Sequence, residues 1–173
     1  MIMQVLYPEP LTAERFAPFG QVIELAKAHH YPINEGLTTR YHDLVQADTH
    51  DQQGRTIVNV FRTHPIPLPH SVLKMERHPL GSQAFLPMNH RPFLVLVAPA
   101  GDQVLAEELR LFITNGQQGI NLFKNTWHHF QLVLGEQSDF IVIDRGGAGN
   151  NLEEVNVCGE VIIPIDVAAK YRI

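Results

Sequence analysis

Hydrophobic positions along this chain recur every second residue far more often than every third or fourth, which is the period of strands rather than helices. Segments of this kind are "TIVNVFR" from Thr56, "SVLKMERH" from Ser71, "QAFLPM" from Gln83, "FLVLVA" from Phe93, "LRLFIT" from Leu109, "FQLVLG" from Phe130 and "DFIVID" from Asp139. Helical signals are few. Thr12 is placed to cap a short segment with Glu14 in its first turn, Pro18 and Gly20 close it before the strand "QVIEL", and another turn or two spans residues 104–109. Twelve prolines and twelve glycines punctuate these segments. The pattern predicts an all-β sandwich or barrel with a few short helices, not an α/β sheet. The polar stretches "HHYPINEG" and "DRGGAGNN" read as loops over a pocket.

Composition narrows this without redirecting it. The 173 residues suit a single domain, 1–173, with no linker, repeat or low-complexity tract. Charged residues make up 18%, below the usual share of about 25%, as in a compact globular chain. The net charge is −5, and the 13 basic residues are scattered singly, which argues against nucleic acid as a partner. A lone cysteine, Cys158, precludes an intramolecular disulfide and a cysteine-based zinc site, and fits a reducing compartment. "MIMQVLYPEP" lacks the basic start of a secretory signal, and "FLVLVAPA" is too short to span a membrane. A cytoplasmic protein is the expectation.

The candidate chemistry lies in histidines, of which there are ten. Alternation in "SVLKMERH" puts Val72, Lys74, Glu76 and His78 on one face and Leu73, Met75 and Arg77 on the other. That polar face is either the solvated side of a sheet or a site. In "NTWHHF", His128 and His129 alternate, so only one of them is expected to enter a given pocket, with Trp127 packing at the rim. His29, His30, His50, His64, His70 and His90 lie among turn residues and read as surface polarity, and Asp144 and Arg145 as a strand-end ion pair.

The strings "GLTTRYHDL", "ERHPLGSQAFLPM", "FITNGQQGINLFKNTWHH" and "IDRGGAGN" resemble ureidoglycolate lyases, also called ureidoglycolate hydrolases, of allantoin breakdown, in the same order and spacing over most of the chain. The resemblance implies a cupin-like double-stranded β-helix barrel, a homodimer, and cleavage of ureidoglycolate to glyoxylate and urea. It matches Glu76, His78, Gln83 and His128 to the positions where cupins usually carry three histidines and a glutamate. With Glu for the first His and Gln for the acid, this is a weak set for a divalent metal, nickel by resemblance. The same four residues are the candidate catalytic groups, with Glu76 or His78 as base and burial expected to raise the carboxyl pKa. Arg40, Arg62 and Lys124 are candidates for the substrate carboxylate, and Asn121 or Gln83 for the urea group. Two alternatives stay open: an amidohydrolase releasing ammonia, and a non-catalytic cupin that binds a small molecule.

Overall fold

The computed structural model describes residues 3–171. It is all-β, with two short helices. One sheet has seven strands in the spatial order Val104–Leu105, Glu153–Cys158, Lys74–Arg77, Trp127–His128, Leu94–Ala98, Arg110–Ile113 and Glu9–Pro10. The other has five, in the order Gly20–Ile23, Gly119–Leu122, Gln83–Pro87, Ser138–Gly146 and Arg55–Thr63. This is the strand-rich architecture the periodicity implies, and it agrees with the cupin-like fold the resemblance implies.

The apolar run from Phe93 explains how the layers meet. Every residue of Leu94–Ala98 is buried, because the strand is covered on both faces. Val95 and Val97 face a core shared with Phe16, Phe85, Phe112 and Phe140, between the two large sheets. Leu94, Leu96 and Ala98 face a second core with Met75, Trp127, Leu132 and Ile163. Each such side chain contributes roughly 1.5–3 kcal/mol by leaving water. The second core is roofed by a three-stranded sheet, Gln4–Val5, Val161–Ile163 and His70–Ser71, and by the helix Val167–Tyr171. Here the two ends of the described chain are sewn together. Gln4–Val5 runs parallel to Val161–Ile163, the Tyr7 hydroxyl donates to Asp166 at 3.2 Å, and the Tyr171 hydroxyl donates to the Pro8 carbonyl at 2.6 Å.

A second set of polar contacts ties residues 44–54 to the five-stranded sheet. Lys124 Nζ lies 2.8 Å from Asp48 and 2.9 Å from Asp51. The Arg145 guanidinium donates to the carbonyls of Asp51 at 2.9 Å and Ala148 at 2.7 Å. Gly54 and Gly81 leave the space this arginine occupies, since a Cβ at either would collide with it. Thr12 caps Ala13–Phe16 as predicted, accepting from the Arg15 amide at 3.3 Å.

The structure departs from the periodicity in four places. Residues 130–135 are not a strand. They cross Leu94–Ala98 through one bridge, Leu94 to Leu132, and alternate because Leu132 and Leu134 enter one core and Val133 the other. "SVLKMERH" is two strands in different sheets. The break at Val72 and Leu73 shifts the phase, so that Val72 is buried with Met75 while Leu73 is 71% exposed. "HHYPINEG" belongs to a β-hairpin, His30–Ile33 paired with Thr38–Tyr41. Asp144 does not pair with Arg145, because adjacent strand residues point to opposite faces.

Candidate functional site

Lys74–Arg77 lies between Trp127–His128 and Glu153–Cys158, with His128 directly opposite Glu76 on one side and Glu154 opposite it on the other. Cross-strand partners share a face. Met75 and Trp127 point to the second core, so Glu76 and His128 point the other way, toward the five-stranded sheet. His78 follows the end of its strand, where its carbonyl accepts from the Asn125 amide at 3.1 Å. Gln83 begins a strand of the opposite sheet. The site therefore bridges the two large sheets.

The geometry is close. Metal-ligating atoms of Glu76, His78 and His128 all lie within 4.8 Å of one another. The rings of His78 and His128 are 5.1 Å apart between centroids. Backbone carbonyls orient both rings: His78 Nδ1 donates to Asn151 at 2.6 Å, and His128 Nδ1 donates to Thr126 at 3.0 Å. In a neutral imidazole this leaves Nε2 as the lone-pair nitrogen, a tautomer assigned from the bonding pattern. His128 Nε2 is buried without a hydrogen-bond partner, and Glu76 Oε1 stands at 3.5 Å, too long for a good hydrogen bond. An orphaned buried nitrogen beside a carboxylate and a second imidazole is a donor set that fits a divalent cation.

His78 Nε2 lies 3.1 Å from Gln83 Oε1, and Gln83 Nε2 lies 3.4 Å from Asp144 Oδ2. Asp144 also accepts from Asn59 Nδ2 at 3.1 Å. Gln83 so spans from the His78 ring to the Asp144 carboxylate, to which its amide N–H donates. Burial pushes the Asp144 carboxyl up, against the hydrogen bonds from Gln83 and Asn59.

Glu76 behaves differently from the expectation. His128 beside it holds its carboxyl below the usual range, outweighing the opposing effect of burial. Burial lowers His78, reinforced by His128 and opposed by the Asn151 carbonyl. The carboxyl raised by burial is Asp144, not Glu76.

Glu76 and His128 open onto a cleft of about 260 Å³ whose other polar walls are His70, Ser71, Lys74, His129 and Glu154. Both His128 and His129 line it, contrary to the alternation, because the strand Trp127–His128 ends between them. His129 Nδ1 donates to the Phe130 carbonyl at 3.3 Å, and its Nε2 meets His70 Nε2 at 3.3 Å. Burial pushes His129 down to about 4 and lowers His70 as well. His70 is thus a half-buried cleft residue rather than surface polarity.

The other predicted groups lie elsewhere. Asn121 is buried on the opposite side of its strand from Ile120 and Leu122, donating to Gln21 and to the Gln46 carbonyl. Arg62 makes a two-pronged ion pair with Asp139, both contacts at 2.9 Å, on the exposed edge. Lys124 is held by Asp48 and Asp51. Arg40 sits on the exposed hairpin. The sequence reasoning left out Asp144, Glu154 and His70 as site residues. The alternation in "DFIVID" was a signal for Asp144, whereas Glu154 and His70 reach the cleft through pairings between distant strands.

A family model described as "Ureidoglycolate lyase" matches residues 3–164. A ureidoglycolate lyase of Burkholderia mallei (strain NCTC 10229) is 55% identical over 155 residues, covering 90% of this chain and 91% of the relative. Those of Pseudomonas fluorescens (strain SBW25) and Pseudomonas syringae pv. syringae (strain B728a) are 47% and 46% identical over 152 residues, each covering 88% of this chain and 91% and 89% of the relatives.

Proposed function

The chain belongs to the ureidoglycolate lyase family, and on that footing we propose that it cleaves ureidoglycolate to glyoxylate and urea. The reaction is an elimination. The hydroxyl proton leaves, the C–O bond becomes a carbonyl, the C–N bond breaks, and the departing urea nitrogen takes up a proton. No water nucleophile is needed. The observation that carries the reading is the cluster itself: a carboxylate held low enough to be ionised at neutral pH, beside two imidazoles whose tautomers backbone carbonyls orient.

In this reading Glu76 accepts the hydroxyl proton and passes that same proton to the departing urea nitrogen, while the His78 ring, its Nδ1–H held by the Asn151 carbonyl, helps position that nitrogen. His128 orients Glu76, and Gln83, backed by Asp144, fixes the His78 ring. Glu76, His78 and His128 would hold a divalent cation, nickel by family resemblance, which when bound supplies Lewis-acid polarisation of a substrate oxygen.

The family resemblance supports a wider setting for this proposal. The chain acts in allantoin nitrogen catabolism in the cytoplasm, as a homodimer of single-domain 1–173 subunits. No helix among the described residues is long and apolar enough to cross a membrane. The test is a product assay: glyoxylate and urea should appear in equal amounts with no ammonia. Ammonia in place of urea would make the chain an amidohydrolase, and tight binding without turnover a binding module.

A further inference from the structure

The hairpin His30–Ile33/Thr38–Tyr41 joins no larger sheet among the described residues. Its strands pair only with each other, and among the described residues its hydrogen bonds stay within the hairpin and its base. Leu37 at its tip is 88% exposed, and every residue of Thr38–Tyr41 is exposed. Rings meet along it, His30 tilted against Tyr41, and His29, Tyr31 and His42 tilted or edge-on to one another at its base. An isolated two-stranded hairpin is marginal in water, so this one is built to lie against something.

The cleft needs what the hairpin carries. Its walls present two carboxylates, Glu76 and Glu154, and one Lys or Arg, Lys74, already 4.0 Å from Glu154. An anionic substrate entering there lacks a free cation. Among the described arginines only Arg40 and Arg55 have no side-chain hydrogen bond or ion pair, and only Arg40 stands on an unpartnered arm. The rim of the cleft is apolar and open, with Leu73 71% and Phe130 50% exposed, matching the exposed Leu37 and Tyr41 of the hairpin.

We propose that the hairpin of one copy of this chain closes over the cleft of a second copy and delivers Arg40 to the substrate carboxylate there. The proposal rests on the lyase reading and adds that neither copy holds a complete site. The guanidinium fork binds both carboxylate oxygens, and its charge is balanced by the acidic cleft and the substrate together. Leu37 and Tyr41 cover Leu73 and Phe130 and exclude water from the reacting carbon.

Complementation tests the assignment. Arg40→Ala should lower kcat/KM by roughly ten- to a hundredfold, mainly through KM, with Arg40→Lys recovering part of it. Arg55→Ala should leave it unchanged. Glu76→Gln should be nearly inactive. When Arg40→Ala and Glu76→Gln subunits are mixed and exchanged, half of the dimers are mixed, each with one intact site, so activity should return to about a quarter of wild type. No recovery would show that Arg40 acts within its own chain and would overturn the proposal, as would full activity of Arg40→Ala or of a monomeric wild type.

A second measurement is independent of turnover. In a Cys158→Ser background, Leu37→Cys chains mixed with Leu73→Cys chains should give a mixed covalent dimer with a short bis-maleimide. Its absence would overturn the docking even if the product assay upholds the lyase. If the product assay fails while the mixed dimer forms, the error lies in the substrate.

Discussion

Two places in this molecule gather charged and polar groups, and they differ in what is left over. Around Lys124 and Arg145 the donors are matched to Asp48, Asp51 and backbone carbonyls, and two glycines make room for the fit. Around Glu76, His78 and His128 a buried nitrogen has no hydrogen-bond partner, and the carboxylate beside it stands too far for a good hydrogen bond. The first arrangement is finished and holds a segment down. The second carries capacity that something else must meet, and unmet capacity in a buried place is the physical mark of a site.

If the distinction holds, mutation should separate activity from stability. The largest effect is expected from Glu76→Gln, which keeps the shape of the side chain while removing the base; kcat should fall by about 10²–10⁴ with little change in Tm. Arg145→Ala should do the reverse. It strands buried carbonyls and empties a fitted space, costing about 2–4 kcal/mol in denaturant unfolding, with kcat of the folded fraction changed much less. Loss of stability in Glu76→Gln, or loss of turnover without loss of stability in Arg145→Ala, would erase the contrast.

The His70–His129 pair sharpens the comparison through pH. His129 sits at about 4 in the folded chain, below the roughly 6.5 of an unfolded histidine. Between those values the unfolded chain binds more protons. The stability associated with neutral His129 is therefore present above about pH 6.5 and lost as pH falls toward 4, a change of roughly 2–4 kcal/mol. His70 is lowered too and acts in the same direction. Urea unfolding at pH 7 and pH 4.5 should show the loss, and His129→Gln should remove most of it.

Metal removal should give the smallest effect on the fold. Two apolar cores and the Arg145 contacts hold the chain without an ion, so chelation should lower activity while moving Tm by no more than a few degrees. A large drop in Tm would place the metal among the structural elements.

Strand content was legible because alternation is local. So was the helix cap at Thr12. Less legible was where alternation comes from: residues 130–135 alternate between two cores without pairing as a strand, and Val72 shifts phase where the chain passes between sheets. Within the site, Glu76 and His78 were found from their spacing, and Gln83 and His128 from the family strings. Glu154 and His70 enter through pairings that join residues more than fifty positions apart, which no local pattern records. The sign of the Glu76 shift also depended on such a pairing, since burial alone would have raised it.

The seam between the two ends of the described chain sets an order on its making. Gln4–Val5 takes its partner strand from Val161–Ile163, and Tyr7 and Pro8 meet Asp166 and Tyr171. During synthesis the first of these residues emerge long before the last exist, at about 5–20 residues per second. Until then the second core has no roof, and Leu6 and Val72 stay uncovered. Residues 161–171 are therefore the step that completes the second core, and a nascent chain halted before them should be cut by protease at its early segments.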